Sequence, residues 1–246
     1  MIEIKEMPDG SPFIISSVAD FCDAMGYCEF KAKHFLKGIR PPQTKITIEG
    51  TKAHEKQEQY EREHFELVPI NKEELADLTI DVECAYEAIQ TRLLVPLKFG
   101  DEKLLMLIFG RADKLIRNKG MLIVEESKFP DNAARFLEKF EPYPDQKLQT
   151  LLYLNSHFTS TSSFEPSDWF EIPHNEKVWI INIKNKNTGE SIKIFRGIQT
   201  REAEEFLKDS LRRFALITLG KLEPKHHQNV RKCKPCRFKD CEYMIK

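Results

Sequence analysis

The chain has 246 residues, of which 41% are hydrophobic and 31% charged, with a formal net charge of −1. This composition is enough for a sizeable core, and the overall charge does not announce a nucleic-acid binder. No apolar run approaches the length needed to span a bilayer, and the start, MIEIKEMPDG, holds acidic residues rather than an apolar signal segment. A cytoplasmic protein is expected, of one domain with insertions or two small ones. Six cysteines without a secretory signal point away from a disulfide framework and towards thiols or a metal site. Charge is uneven: acidic residues outnumber basic ones from Glu55 to Asp77, and the reverse holds from Lys221 to Lys246.

In chain order, Ser16-Ser17 can cap a helix from Val18 to about Lys37, ended by Gly38 and Pro41-Pro42. A second, very polar helix is expected from Gly50 to about Phe65, and a third from Glu73 to Gln90. Strands follow at Arg92–Phe99, Leu104–Ile116 and Met121–Lys128, stopped by Pro130. A loop or short helix covers Asp131 to Phe140. Pro144-Asp145 opens a helix to about Ser156, followed by a Ser/Thr-rich loop to Pro173. Val178–Lys184 and Ser191–Arg196 form a hairpin across Asn187-Thr188-Gly189. Thr200 caps a helix to Leu219, ended by Gly220, and the last segment is short, basic and cysteine-rich. The order implies a mixed α/β fold around one sheet.

The stretch FGRADKLIRNKGMLIVEESKF, Phe109 to Phe129, concentrates the chemistry. Asn118-Lys119-Gly120 is turn chemistry, and Met121–Val124 is apolar on both faces before charges begin at Glu125. Charges ending so apolar a strand are costly unless something binds them. A two-residue turn at Lys119-Gly120 sets Asp113 opposite Glu126, with β-carbons roughly 5 Å apart. Lys128 then lies on the same face. A three-residue turn would instead pair Asp113 with Glu125. Two carboxylates so close repel, which a divalent cation resolves, and a lysine beside it can orient a water or stabilise negative charge. The alternative is an ordinary hairpin with a solvated charged end.

Asp113 followed by Glu126-x-Lys128 resembles the PD-(D/E)XK nuclease pattern. With Gly50…His54, Gly110…Asp113 and Gln149…Tyr153 added, the ordered set resembles that of RecB-type nucleases. The resemblance implies a restriction-endonuclease-like core with a central mixed sheet flanked by helices. It implies a Mg²⁺ or Mn²⁺ ion on His54, Asp113, Glu126 and the Ser127 carbonyl, with Lys128 catalytic. It further implies that Gln149 and Tyr153, four apart on one helical face, support the lysine and contact the DNA strand. Gln146 competes with Gln149 for that role.

Cys233-Lys-Pro-Cys236 and Cys241 offer three thiols, and a fourth ligand is needed. Cys28, in Tyr27-Cys28-Glu29-Phe30-Lys31, resembles the N-terminal cysteine of iron–sulfur RecB-like nucleases, in which four cysteines hold a [4Fe–4S] cluster that fastens the two ends together. Zinc is the rival, with His226 and His227 as further ligands, and Cys22 could replace Cys28. Cys84 reads as a buried helix thiol. Lys232, Lys234, Arg237 and Lys239 among the cysteines would offset thiolate charge and could touch phosphates. The chain thus resembles the CRISPR-associated RecB-like exonuclease family, the fourth-numbered Cas protein. That implies a single nuclease domain over residues 1–246, with cluster-binding segments at about 17–40 and 221–246 and a catalytic core at about 48–200. It also implies an exonuclease on single-stranded DNA ends that works beside CRISPR integrase proteins in spacer acquisition. A stand-alone repair nuclease and a weakly catalytic cluster- or zinc-bearing assembly subunit are the alternatives. No phosphate loop of the Gly-x-x-x-x-Gly-Lys-Ser/Thr kind accompanies these motifs.

Overall fold

The structure is a computed structural model that describes residues 2–64, 84–99, 101–118, 121–158, 176–227 and 229–234, with 236, 238, 241, 242 and 244. Strand β4 (Glu102–Asn118) is the axis of an eight-stranded mixed sheet. Between Glu102 and Arg117 it pairs antiparallel with β3 (Cys84–Phe99). Its other edge is shared. β2 (Pro12–Ser17) runs parallel to Leu105–Phe109, and β5 (Met121–Lys128) runs antiparallel to Lys114–Asn118. The sheet continues from β5 through β7 (Lys177–Lys184), parallel to it, to β8 (Ser191–Ile198) at the edge. β1 (Ile2–Glu6) closes the opposite side against β2, and β6 (His157–Phe158) pairs with β3.

Three expectations change. The helix expected to end at Gln90 is a strand from Cys84 onward, because a 17-residue β4 needs a paired neighbour and sheet pairing overrides the helix preference of Ala and Glu. Residues 73–83 of that expectation, the Lys119-Gly120 turn and residues 159–173 of the Ser/Thr loop lie outside the described residues. The N-terminal hairpin was not expected. It turns at Gly10, whose φ of +80° suits glycine, with Asp9 accepting both the backbone N–H and the hydroxyl of Ser11. The expected helix over 18–37 is broken: α1 (Val18–Cys22), capped by the Ser17 side chain, passes into a π turn (Asp23–Tyr27), and α2 (Phe30–Leu36) starts afresh. The break has a packing cause. A Cβ on Gly26 would lie 2.3 Å from the Asp145 Cα.

Asp145 sits in the first turn of α4 (Pro144–Leu154), and α5 (Arg201–Thr218) is capped by Thr200. Phe21, Leu148, Leu151, Leu207, Leu211 and Phe214 are fully buried between these helices and the sheet, and Phe21 meets Phe214 edge-on at 5.1 Å. The very polar α3 (Lys45–His64) starts five residues earlier than expected. Its Glu61 pairs with Lys114 and Lys184. By strand alternation these lysines point away from the face that carries Glu126 and Lys128, which α4 covers. The sheet is therefore flanked by helices on both faces. No helix among the described residues is long and apolar enough to cross a membrane.

Candidate active site and cysteine centre

Between the end of β2 pairing at Phe109 and the start of β5 pairing at Lys114, one edge of β4 has no strand beside it among the described residues. Gly110-Arg111-Ala112-Asp113 fills this gap. Buried backbone groups need partners wherever a ladder stops, and side chains supply them. The Arg111 carbonyl accepts from the Tyr153 hydroxyl (2.9 Å), and the Asp113 N–H donates to Glu126 Oε1 (3.0 Å). The Ser127 N–H donates to Asp113 Oδ2 at 2.8 Å. The two carboxylates thus cross, each taking a backbone donor at or beside the other. Gly110 is required by close approach, since a Cβ would lie 2.7 Å from Val18 Cγ2 and 3.1 Å from Tyr153 Cε1. The ladder carries the two-residue register, with Asn118 opposite Met121 and Lys114 opposite Glu125, so Asp113 faces Glu126 and not Glu125.

The second Glu126 oxygen, Oε2, accepts from Lys128 Nζ (3.0 Å) and Gln149 Nε2 (2.8 Å). Lys128 also donates to Gln149 Oε1 (2.8 Å), and Gln149 Nε2 lies 3.3 Å from the Tyr153 hydroxyl. One network therefore runs from the β4 backbone through α4 to the end of β5. Gln146 is engaged elsewhere, accepting the Tyr143 N–H at the start of α4 (3.2 Å). His54, mid-way along α3, brings Nδ1 to 3.7 Å from Asp113 Oδ2 and meets Phe129 edge-on at 4.8 Å.

The electrostatics follow from burial. Glu126 is fully buried, and its carboxyl is pushed up to about 7 by desolvation and then by Asp113. Burial disfavours the Lys128 ammonium, but Glu126 and Asp113 outweigh it and its pKa is raised. Burial also lowers His54, against the pull of Asp113, and raises Tyr153. Two carboxylates, an imidazole and the adjoining Ser127 carbonyl form a hard, oxygen-rich donor set with one nitrogen, which fits Mg²⁺ or Mn²⁺.

Sequence reasoning missed how α3 is held. Ala53 is its buried apolar residue among those described, and its other ties are the His54–Phe129 contact and ion pairs. Glu49 meets Lys186 (2.7 Å), Glu58 meets Arg111 (2.8 Å), and Glu61 meets Lys114 (3.0 Å) and Lys184 (3.7 Å). The thin apolar stripe of this helix was the available signal.

Beyond α1 and the π turn, the segment around Cys28 meets the segment from His226 to Cys233. Cys28 sits in the extended residue between the π turn and α2. Its Sγ and ring nitrogens of His226 and His227 all lie within 4.8 Å of one another. Cys233 Sγ is 3.7 Å from His226 Nε2 and 3.8 Å from His227 Nε2. Burial pushes the Cys28 thiol up, with Cys241 and Cys236 adding to it, and Tyr27 is pushed up to about 12 by burial and then by Cys236. The tail is also tied by ordinary contacts. The Tyr27 hydroxyl donates to the Lys232 carbonyl (2.5 Å), and Phe238 stacks on His34 at 4.7 Å. Thiols and imidazoles are soft or borderline donors that suit zinc or an iron–sulfur cluster. Buried Cys22 has Asp145, Lys128 and Glu126 as its charged neighbours instead. The Cys84 side chain, Arg237 and Lys239 lie outside what is described.

No protein-family model matches this chain, and no curated protein matches it. Solved structures do resemble it. SSO0001 aligns over 99% of this chain and 91% of its own, with 18% identity and a TM-score of 0.52. LHK-Exo, solved in complex with dAMP, aligns over 84% of this chain and 88% of its own, with 10% identity and a TM-score of 0.45. A candidate exonuclease from Eubacterium rectale aligns over 94% and 88%, with 14% identity and a TM-score of 0.40. The likeness to SSO0001 shows that the fold is shared, and only that.

Proposed function

We propose that this chain is a divalent-metal-dependent deoxyribonuclease, a single domain with a RecB-like PD-(D/E)XK site. The observation that carries the reading is the crossed pair Asp113 and Glu126 at the point where β4 and β5 part, with Lys128 held against it by Gln149. His54, Asp113, Glu126 and the Ser127 carbonyl would hold Mg²⁺ or Mn²⁺, and the imidazole favours Mn²⁺ over an all-oxygen site. When bound, the ion supplies an acidified water and a polarised phosphate. Gln149 fixes the rotamers of Glu126 and Lys128 at once. Lys128 presents its ammonium to the attacking water and to charge developing on the phosphate. Tyr153 braces Gln149 against the β4 backbone. Exonucleolytic action on single-stranded ends, and a place beside CRISPR integrase proteins in spacer acquisition, follow from the resemblance of the motif set.

The test is cleavage of labelled single- and double-stranded DNA with Mn²⁺, Mg²⁺ or chelator. Asp113→Ala and Glu126→Ala should abolish cleavage with the circular dichroism unchanged. Lys128→Ala should also abolish it while metal still binds. Wild-type cleavage by either carboxylate variant would remove the assignment.

For the cysteine centre the reading is a [4Fe–4S] cluster on Cys28, Cys233, Cys236 and Cys241, fastening the two ends of the chain. What supports it is the joining of the two segments beside Cys28 and Cys233, where the Tyr27 hydroxyl donates to the Lys232 carbonyl. Zinc is the second reading, favoured by the approach of His226 and His227 to Cys28 and Cys233. Metal analysis of anaerobically purified protein separates them: iron with labile sulfide supports the cluster, and stoichiometric zinc without either refutes it.

A further inference from the structure

A cleft of about 380 Å³ opens between the loop before α4 and the outer strands β7 and β8. Phe140, Lys147, Trp179, Lys193 and Arg196 line it, with Glu141 as its acidic group. Three features set it apart. First, among the described residues none of its three cations is in an ion pair with a carboxylate. The cations that touch α3 are all paired: Arg111 with Glu58, Lys114 and Lys184 with Glu61, and Lys186 with Glu49 and Asp131. Second, Trp179, 9% exposed, lines the cleft and has Lys147 Nζ 5.8 Å from its ring centroid, so a cation is already held against this aromatic wall. Third, Phe140 is 99% exposed, an aromatic ring with no packing role.

The register places this cleft beside the candidate active site. Lys128 pairs with Ile183, which pairs with Lys193, and Glu126 pairs with Ile181, which pairs with Phe195. Paired residues share a face, and strands lie about 4.8 Å apart. Lys193 therefore stands two strands, roughly 10 Å, from Lys128 on the same side of the sheet.

We propose that this cleft is a subsite for the single-stranded DNA flanking the scissile bond. Lys147 and Lys193 meet a phosphate, and a base stacks on Phe140. Cations without a carboxylate partner, beside an exposed aromatic, are how sequence-tolerant single-strand sites are built. The inference rests on the nuclease reading above, but it is tested by binding.

In an Asp113→Ala background that stops cleavage, a short labelled oligothymidylate is titrated by fluorescence anisotropy over a range of KCl. Lys147→Ala with Lys193→Ala should weaken binding about tenfold and reduce the salt slope by roughly 1.4, the value for two lost phosphate contacts on a single strand. Phe140→Ala should weaken it about fivefold or more, at little cost to folding because the ring packs against nothing. Affinity and slope unchanged in both variants would overturn the subsite. A second readout uses Trp169→Phe, which leaves Trp179 as the sole indole. Quenching by the oligonucleotide supports the proposal. Quenching by deoxythymidine monophosphate alone, with no change in strand affinity on Phe140→Ala, would make this a site for a free nucleotide and overturn it. Should Asp113→Ala still cleave, the active-site reading fails while these binding results stand by themselves.

Discussion

Removing Glu61 should release α3 from the sheet without unfolding the core. Glu61 is 6% exposed and lies 3.0 Å from Lys114 Nζ and 3.7 Å from Lys184 Nζ, and it also accepts from Gln57 at 2.8 Å. At an effective dielectric of about 20, each contact is worth roughly 4–6 kcal/mol of Coulomb energy before desolvation is counted. Glu61→Ala would leave two largely buried ammonium groups without their anion, a net cost of about 3–5 kcal/mol for a buried pair broken from one side. Taking the lower end, the docked state of α3 falls by about two orders of magnitude. Among the described residues Ala53 is the buried apolar residue of this helix, and the remaining ion pairs to the sheet side, Glu49 with Lys186 and Glu58 with Arg111, are more exposed than those of Glu61. The expected result is a roughly hundredfold loss of amide protection confined to α3, with the core melt nearly unchanged. His54 should then leave Asp113, and divalent affinity by calorimetry should fall. Burial pushes the Glu61 carboxyl up, but Gln57 and Lys114 outweigh it, so its pKa lies below the ordinary carboxylate value. The tether is therefore complete above the ordinary carboxylate range and is lost as pH falls through the lowered value. Unchanged α3 protection, or a fall in core and helix stability together, would refute the reasoning.

Three further outcomes are expected. Glu126, raised to about 7, binds its proton more tightly in the folded than the unfolded chain. The metal-free protein should thus be most stable below about pH 4.5 as far as this group is concerned, and lose about 3 kcal/mol as pH rises to about 7. Urea melts with chelator across that range check this, and a flat profile contradicts it. Gln149→Ala should cut turnover with a small change in melting, whereas Gln146→Ala should cost about 1 kcal/mol of stability and spare turnover, because it closes the cap of α4; the reverse ranking would mean that the wrong glutamine was assigned. Gly110→Ala should destabilise by about 1–3 kcal/mol, since its Cβ would meet Val18 and Tyr153 where α1 and α4 cross β4. A wild-type melting temperature would show that this crossing is loose.

Much of the site's local geometry was legible in the chain. The two-residue turn and the alternation of β5 set Asp113 against Glu126 and kept Lys128 on the same face, because strand register is a local, period-two property. The spacing of Gln149 and Tyr153 put both on one face of α4 for the same kind of reason. Local pattern also located β5, β7, β8, α4 and α5 to within a few residues.

Tertiary structure alone decided the rest. Helix preference at Cys84–Gln90 yielded to the pairing demand of β4, a partner not encoded nearby. The π turn at Gly26 exists because Asp145, more than a hundred residues on, occupies the space a side chain would need. The same break leaves Cys28 extended beside His226 and His227. The Arg111 carbonyl carries the tie to Tyr153, a contact that no side-chain pattern announces. Short-range periodicity specifies which side chains share a face. Which backbone groups are left unpaired, and which distant side chains must then satisfy them, is settled only when the strands and helices meet.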